Sequence, residues 1–185
     1  MTERWLKSSM LIVSLCIIVC ALAGGPVGCS SSSSSSSTEE LGLIVMEDEI
    51  EAPDFTISTM TGAEITLSDL QGMPVVLNCW AKRCPPCIKE LPYFDVAAEQ
   101  YAGKVTILAV NLEDSVSKVK EFFGDNEVSF IVALDKNSQV ASSYATGYIP
   151  NTFFIDSHGI IHYIKVGAFP NDKNLQDSID LLLKY

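Results

Sequence analysis

The sequence predicts an α/β fold, a mixed central sheet with helices on both faces. Short apolar runs of strand length alternate with stripes of helical spacing, and the chain closes on two strands joined by a tight turn, then a last helix. Composition sets the frame. With 185 residues, 48% apolar and 19% charged, the chain is globular in balance, which excludes wholesale disorder and fibrous architectures. One domain of ordinary size plus appendages fits this length.

The elements follow in order. Val75 to Trp80 (VVLNCW) is apolar almost throughout, as in a strand buried on both faces. From Cys84 to Tyr101, Leu91, Phe94, Ala98 and Tyr101 recur at spacings of three and four, a helical stripe that Pro92 should kink. Val105 to Val110 reads as a second buried strand, Ser117 to Phe123 as a short helix, Phe130 to Leu134 as a third strand, and Val140 to Tyr144 as another helical stretch. Thr152 to Ile155 and Ile160 to Val166 flank Asp156-Ser157-His158-Gly159, a hairpin signal, and Asp172 to Leu183 forms the closing helix. No internal repeat is visible.

The N-terminal stretch stands apart from this pattern. Arg4 and Lys7 precede a run from Ser8 to Thr38 without a charged residue, and its apolar part, Met10 to Ala23, has the length of a secretory signal core rather than a membrane span. Extended through Gly28 the run could just cross a bilayer as an uncleaved anchor, but Gly24, Gly25 and Pro26 weaken a helix there. Val27-Gly28-Cys29 resembles the lipobox of bacterial lipoproteins, with Pro26 where that family usually has Leu. The resemblance implies lipid attachment at Cys29. Ser30 to Ser37 is a polyserine spacer, and Glu39 to Glu51 mixes acids with an apolar burst, Leu41 to Met46, that either adds an edge strand or stays loose. The expected organisation is a signal peptide over residues 1–28, a tether and acidic linker over 29–51, and a folded domain over 52–185. Each version places that domain outside the cytoplasm, held near a membrane.

Charge and cysteines narrow the function. A net charge of −11 repels polyanions, so a nucleic-acid partner is not expected. Beyond residue 28 the cysteines are Cys29, Cys79, Cys84 and Cys87. With Cys29 lipidated, an odd number of thiols remains, unlike a purely structural disulfide framework. Cys84-Pro85-Pro86-Cys87 follows a buried strand and opens a helix, where N–H groups and the helix dipole favour a thiolate. The first cysteine is placed to attack a partner disulfide and the second to resolve the mixed disulfide. The competing readings are a structural disulfide or half of a metal site, for which only Cys79, His158 and His162 could complete a ligand set.

The residues here resemble the TlpA/ResA branch of the thioredoxin superfamily. The resemblance is carried by Ala52-Pro53-Asp54-Phe55, Leu67-Ser68-Asp69-Leu70, Val76-Leu77-Asn78-Cys79-Trp80-Ala81, Cys84-Pro85-Pro86-Cys87, Lys89-Glu90-Leu91-Pro92, Gly147-Tyr148-Ile149-Pro150 and Thr152-Phe153-Phe154-Ile155-Asp156. It implies a thioredoxin-like fold and thiol–disulfide exchange outside the cytoplasm, commonly reducing apocytochrome c or other exported proteins, with a membrane electron donor of the thiol–disulfide type and no cofactor. Residue by residue, it makes Cys84 and Cys87 the redox pair, Glu90 the active-site carboxylate, and Pro150 a cis-proline exposing the backbone of Ile149 to a substrate strand. Trp80, Ile149 and Pro150 are the expected substrate contacts. Asn78 stands where ordinary thioredoxins carry a buried Asp, and Arg83 where the branch usually has Trp. The Arg83 cation favours the Cys84 thiolate, whereas Pro85 and Pro86 remove N–H donors that would also favour it.

Other functions compete. A disulfide oxidase would use the same two cysteines. A thiol peroxidase of the peroxiredoxin kind shares the Ala-Pro-Asp-Phe opening but needs a hydroxyl three residues before its reactive cysteine, where this chain has Ala81. A copper carrier resembling the SCO proteins would need C-x-x-x-C and a distant histidine; no metal site is expected.

Overall fold

The computed structural model describes residues 34–144 and 147–185. The expected signal peptide and Cys29 lie outside the described residues. Ser34–Tyr185 form one compact unit.

An eight-stranded mixed sheet runs through it. In chain order the elements are α1 (Ser34–Glu40), β1 (Leu43–Glu51), β2 (Thr56–Thr59), β3 (Glu64–Thr66), a 3-10 turn (Ser68–Leu70), β4 (Val75–Trp80), α2 (Pro85–Gln100), β5 (Thr106–Asn111), α3 (Val116–Phe123), β6 (Ile131–Leu134), α4 (Gln139–Tyr144), β7 (Asn151–Ile155), β8 (Ile160–Val166) and α5 (Asp172–Leu182). The strands lie in the order β1-β8-β7-β4-β5-β6-β2-β3. β4 pairs parallel with β5 and β5 with β6, the helical connections allowing it, while β7, β8 and β1 continue the other side antiparallel.

All six residues of β4 are buried, so its two faces belong to two cores. Val76 and Trp80 face a layer built by α2, α3 and α5, with Phe94, Val119, Leu175 and Ile179 buried in it. Val75, Leu77 and Cys79 face the opposite layer, where Val140 and Tyr144 of α4 pack with Phe55, Leu67 and Phe153. Helices therefore do cover both faces, unevenly, with three on one side and the short α4 on the other. Pro92 sits inside α2 without ending it. Val119 and Phe123 hold α3 down, and Ser115 caps it by accepting from the Lys118 amide at 3.4 Å.

The compact unit begins at Ser34, ahead of the boundary expected at residue 52. Residues 34–51, read as tether and linker, are largely regular: α1 includes four of the serines, and β1 pairs antiparallel with β8. Leu41 and Leu43 are buried, which gives this segment the apolar anchor that polyserine lacks. The strand bulges where Met46 to Glu49 stand opposite His162 alone. The β2–β3 hairpin was also unforeseen. Asp54 ties it down by accepting from the Phe55 and Ser68 amides and the Ser68 hydroxyl, at 3.0, 2.9 and 2.8 Å.

Candidate active site

The site lies where β4 runs out into α2. Cys84 is the N-cap of α2, with extended backbone, and its Sγ accepts from the Cys87 amide at 3.2 Å. Pro85 and Pro86 fill the first two helical positions without donors, so Cys87 N–H is the first amide of the helix that can reach the sulfur. The two cysteines are joined in a disulfide. Cys84 keeps 7% of its surface exposed and Cys87 none. An incoming sulfur therefore meets Cys84 first.

The cis Ile149–Pro150 bond lies against this pair. The carbonyl oxygen of Ile149 is 3.6 Å from Cys84 Sγ. Tyr148 beside it is 75% exposed, whereas Pro150 is buried. The Gly167 amide donates to the Pro150 carbonyl at 2.8 Å and fastens the loop to the end of β8. Trp80 requires a correction. Its ring is wholly buried against Phe122 and Phe123, with no surface for a substrate to touch, so it is a core residue beneath the site.

Arg83 is not a free cation. Its Nε and Nη2 donate to the two carboxylate oxygens of Glu113, which holds that carboxyl below its ordinary range. The loop that carries Glu113 is itself organised by Asn111, whose Oδ1 accepts from the Glu113 and Asp114 amides at 3.1 and 2.7 Å. Asp114 in turn accepts from the Lys82 amide at 2.9 Å. The turn before Cys84 is thus clamped to the β5–α3 loop at two consecutive residues.

Glu90 lies one turn beyond Cys87 on α2 and is fully buried. Its Oε1 accepts from Asn78 Nδ2 at 3.0 Å, and its Oε2 from the Phe169 amide at 2.9 Å. Burial pushes its carboxyl up to about 7, against the pull of those two hydrogen bonds and the Lys165 cation. Asn78 Nδ2 also donates to Thr152 Oγ1 at 3.1 Å. Thr152, Phe169, Lys165 and Glu113 had no role in the site as read from the sequence. Thr152 shares a strand face with Phe154, two residues on, and that alternation was the one available signal; the Phe169 contribution is a backbone amide and leaves none.

Cys79 faces the other core. Burial, with Asp135 adding to it, pushes its thiol up to about 12, so it stays protonated and unreactive at neutral pH. His158 lies in the β7–β8 turn, at the end of β7 far from Pro150, and His162 bonds Asp156 at 2.8 Å. Among the described residues no group of three or more His, Cys, Asp or Glu side chains is placed to hold a metal ion.

Known proteins resemble this chain in sequence and fold. The model of the AhpC/TSA family matches residues 49–164. Thioredoxin-like protein YneN of Bacillus subtilis is 33% identical over 134 residues, which cover 71% of this chain and 78% of that protein. Thiol-disulfide oxidoreductase ResA of Bacillus cereus is 34% identical over 151 residues, 80% of this chain and 85% of that protein. The chain belongs to the AhpC/TSA family and is a ResA-like thiol–disulfide oxidoreductase. A Chlorobium tepidum structure described as a thiol:disulfide interchange protein DsbE superposes on this oxidoreductase with a TM-score of 0.68 and 30% identity, covering 75% of this chain and 99% of that one. The fold is accordingly thioredoxin-like, and its substrates are proteins that contain disulfides. The AhpC/TSA family name brings no peroxidase with it, because the position three residues before Cys84 is the buried Ala81, which offers no hydroxyl.

Proposed function

We propose that this oxidoreductase works as a reductant of exported proteins, apocytochrome c among them, held at the outer face of a membrane by a lipid on Cys29. The observation that carries the reductive cycle is the asymmetry of the pair: Cys84 stands at the helix N-terminus beside the Ile149 carbonyl, and Cys87 lies sealed behind it. The Cys84 thiolate attacks one sulfur of a substrate disulfide, forming a mixed disulfide and releasing the other substrate sulfur as a thiolate. Cys87 gives up its proton and attacks Cys84, closing the Cys84–Cys87 disulfide and freeing the second substrate thiol. Two electrons pass to the substrate, and a dithiol donor in the membrane returns them. Glu90 is the group that receives the Cys87 proton.

The pairing of Arg83 with Glu113 supports the reductive direction, because it neutralises the cation that would otherwise favour the Cys84 thiolate and an oxidising potential. The test is trapping. Cys87→Ser should accumulate a mixed disulfide with an exported substrate protein, and Cys84→Ser should form none and reduce nothing. Reduction of a test disulfide by Cys84→Ser would overturn the mechanism. For the anchor, labelling with a radioactive fatty acid should mark the wild-type chain and not Cys29→Ser; equal labelling of both would remove Cys29 from the reading.

A further inference from the structure

Among the described residues Asn78 is the one side chain hydrogen-bonded to Glu90, and it bonds with its donor end. Two donors, one on each oxygen, suit the carboxylate best. If Glu90 takes up a proton, its two oxygens cease to be equivalent, and the structure says which of them must carry it. Oε2 accepts from the Phe169 backbone amide at 2.9 Å, and a backbone amide can only donate, so Oε2 must remain an acceptor. The proton therefore sits on Oε1, facing Asn78 Nδ2, where two donors would meet.

We propose that the Asn78 side-chain amide turns over by half a revolution each time Glu90 changes protonation state, so that Asn78 and Thr152 keep the buried acid hydrogen-bonded in both forms. With Glu90 charged, Nδ2 donates to Glu90 Oε1 and to Thr152 Oγ1, at 3.0 and 3.1 Å. With Glu90 neutral, the turned amide presents Oδ1 at the same point, where it accepts from the Glu90 hydroxyl and from the Thr152 hydroxyl. Thr152 can make the exchange because a hydroxyl both accepts and donates. Two hydrogen bonds exist before and two after. The other end of the amide is buried without a partner, so the turn exchanges an unpaired Oδ1 for an unpaired NH₂ group.

The groups that face Glu90 leave Asn78 as the adaptable one. Phe169 contributes a fixed donor from the β8–α5 loop, Lys165 of β8 a fixed cation, and Cys87 on the same helix a sulfur held in the disulfide. An Asp at position 78, the residue ordinary thioredoxins carry there, would set a second titrating carboxylate against the first; the amide of Asn78 supplies both a donor and an acceptor and no charge. Asn78 is thereby a positioning residue for proton transfer at Glu90. The proposal rests on reading Glu90 as the site's proton-carrying group, and an elevated carboxyl near neutrality agrees with it.

The test follows the Asn78 side-chain amide by NMR in the oxidised protein, alongside the Glu90 carboxyl carbon, from pH 5 to 9. The Asn78 amide signals should move between two limits with the same midpoint as Glu90, and the contact between its N–H₂ group and the Thr152 side chain should weaken on the acid side. Glu90→Gln makes the second arm. Its oxygen must face Phe169, its NH₂ must face Asn78, and the Asn78 signals should hold the low-pH limit at every pH. An amide that stays at one limit while Glu90 titrates, a Glu90 that stays charged throughout, or a Glu90→Gln variant showing the high-pH limit would each overturn the proposal. Disulfide-exchange rates separate it from its premise: Glu90→Gln exchanging at the wild-type rate would remove Glu90 from proton transfer while leaving the amide turn standing.

Discussion

At the scale of single residues, Glu90 makes folding stability depend on pH in a direction opposite to most carboxylates. Its folded value, about 7, lies above the ordinary 4.5, because burial disfavours the charged form more than Phe169, Asn78 and Lys165 favour it. A group raised in this way binds its proton more tightly folded than unfolded. Its contribution is full below about pH 4.5 and is lost as pH rises through about 7, to the extent of about 3 kcal/mol. Asp156 works the other way, held low by His162 and two backbone amides despite its burial, but its window lies below its ordinary 3.8. Urea unfolding of the oxidised protein should therefore show stability falling between pH 5 and 8, and Glu90→Gln should flatten that slope; an equal slope in both would refute the assignment. Arg83 and Glu113 support a second prediction. Glu113→Gln leaves the Arg83 cation uncompensated beside Cys84, which favours the thiolate and stabilises the reduced form. The pair is exposed and screened by water, so the rise in reduction potential should be small. Equilibration against glutathione measures it, and a fall in potential would contradict the role given to Glu113.

At the scale of elements, β1 is where the sequence left an edge strand and a loose segment both open and the structure takes the strand. The buried strands β4, β5, β6 and β7 were legible because each is a short run of Val, Ile, Leu and Phe with both faces covered, and α3 and α5 because their apolar residues keep helical spacing. β1 (Leu43–Glu51) has no such pattern: of its nine residues only Leu43 is buried and four are acidic. What makes it a strand is the open edge of β8, a partner more than a hundred residues away that no local window contains. The β2–β3 hairpin escaped for the same reason, since Asp54 and the β6 edge define it. In the active site, the Cys84–Cys87 pair and Pro150 were legible from their spacing and from family resemblance, whereas the partners of Glu90 were not, because they come together only through β4, β7 and the β8–α5 loop. Truncation tests the account of β1. A chain starting at Ala52 loses the burial of Leu41 and Leu43, worth about 2 kcal/mol each, that a chain starting at Ser34 keeps, and it bares the β8 backbone; it should unfold at lower urea and associate at high concentration. Equal midpoints would show that β1 contributes nothing to the folded body.

At the scale of the whole molecule, the direction of electron flow and the stability of the fold are one thermodynamic quantity. Reduction and unfolding form a closed cycle, so the difference in unfolding free energy between the oxidised and reduced forms equals the difference between the reduction potentials of the folded and unfolded pairs; every 30 mV corresponds to about 1.4 kcal/mol. A fold that stabilises its disulfide is a reductant, and one that stabilises its dithiol is an oxidant, as at the DsbA end of the scale near −120 mV. Several features here favour the disulfide. Pro85 and Pro86 withhold two amides from a Cys84 thiolate, Glu113 engages the Arg83 cation next to it in sequence, and Glu90, where it is charged, sits one turn from Cys87. Two features favour the dithiol, the Cys87 amide that donates to Cys84 Sγ and the helix dipole at the N-terminus of α2. The balance predicts that the oxidised protein unfolds at higher urea than the protein reduced with dithiothreitol, and that its potential lies nearer the −270 mV of thioredoxin than the DsbA value. Both can be measured on the same preparation, and the cycle requires them to agree. A reduced form more stable than the oxidised one would reverse the electron flow and make the protein a disulfide oxidase with the same two cysteines.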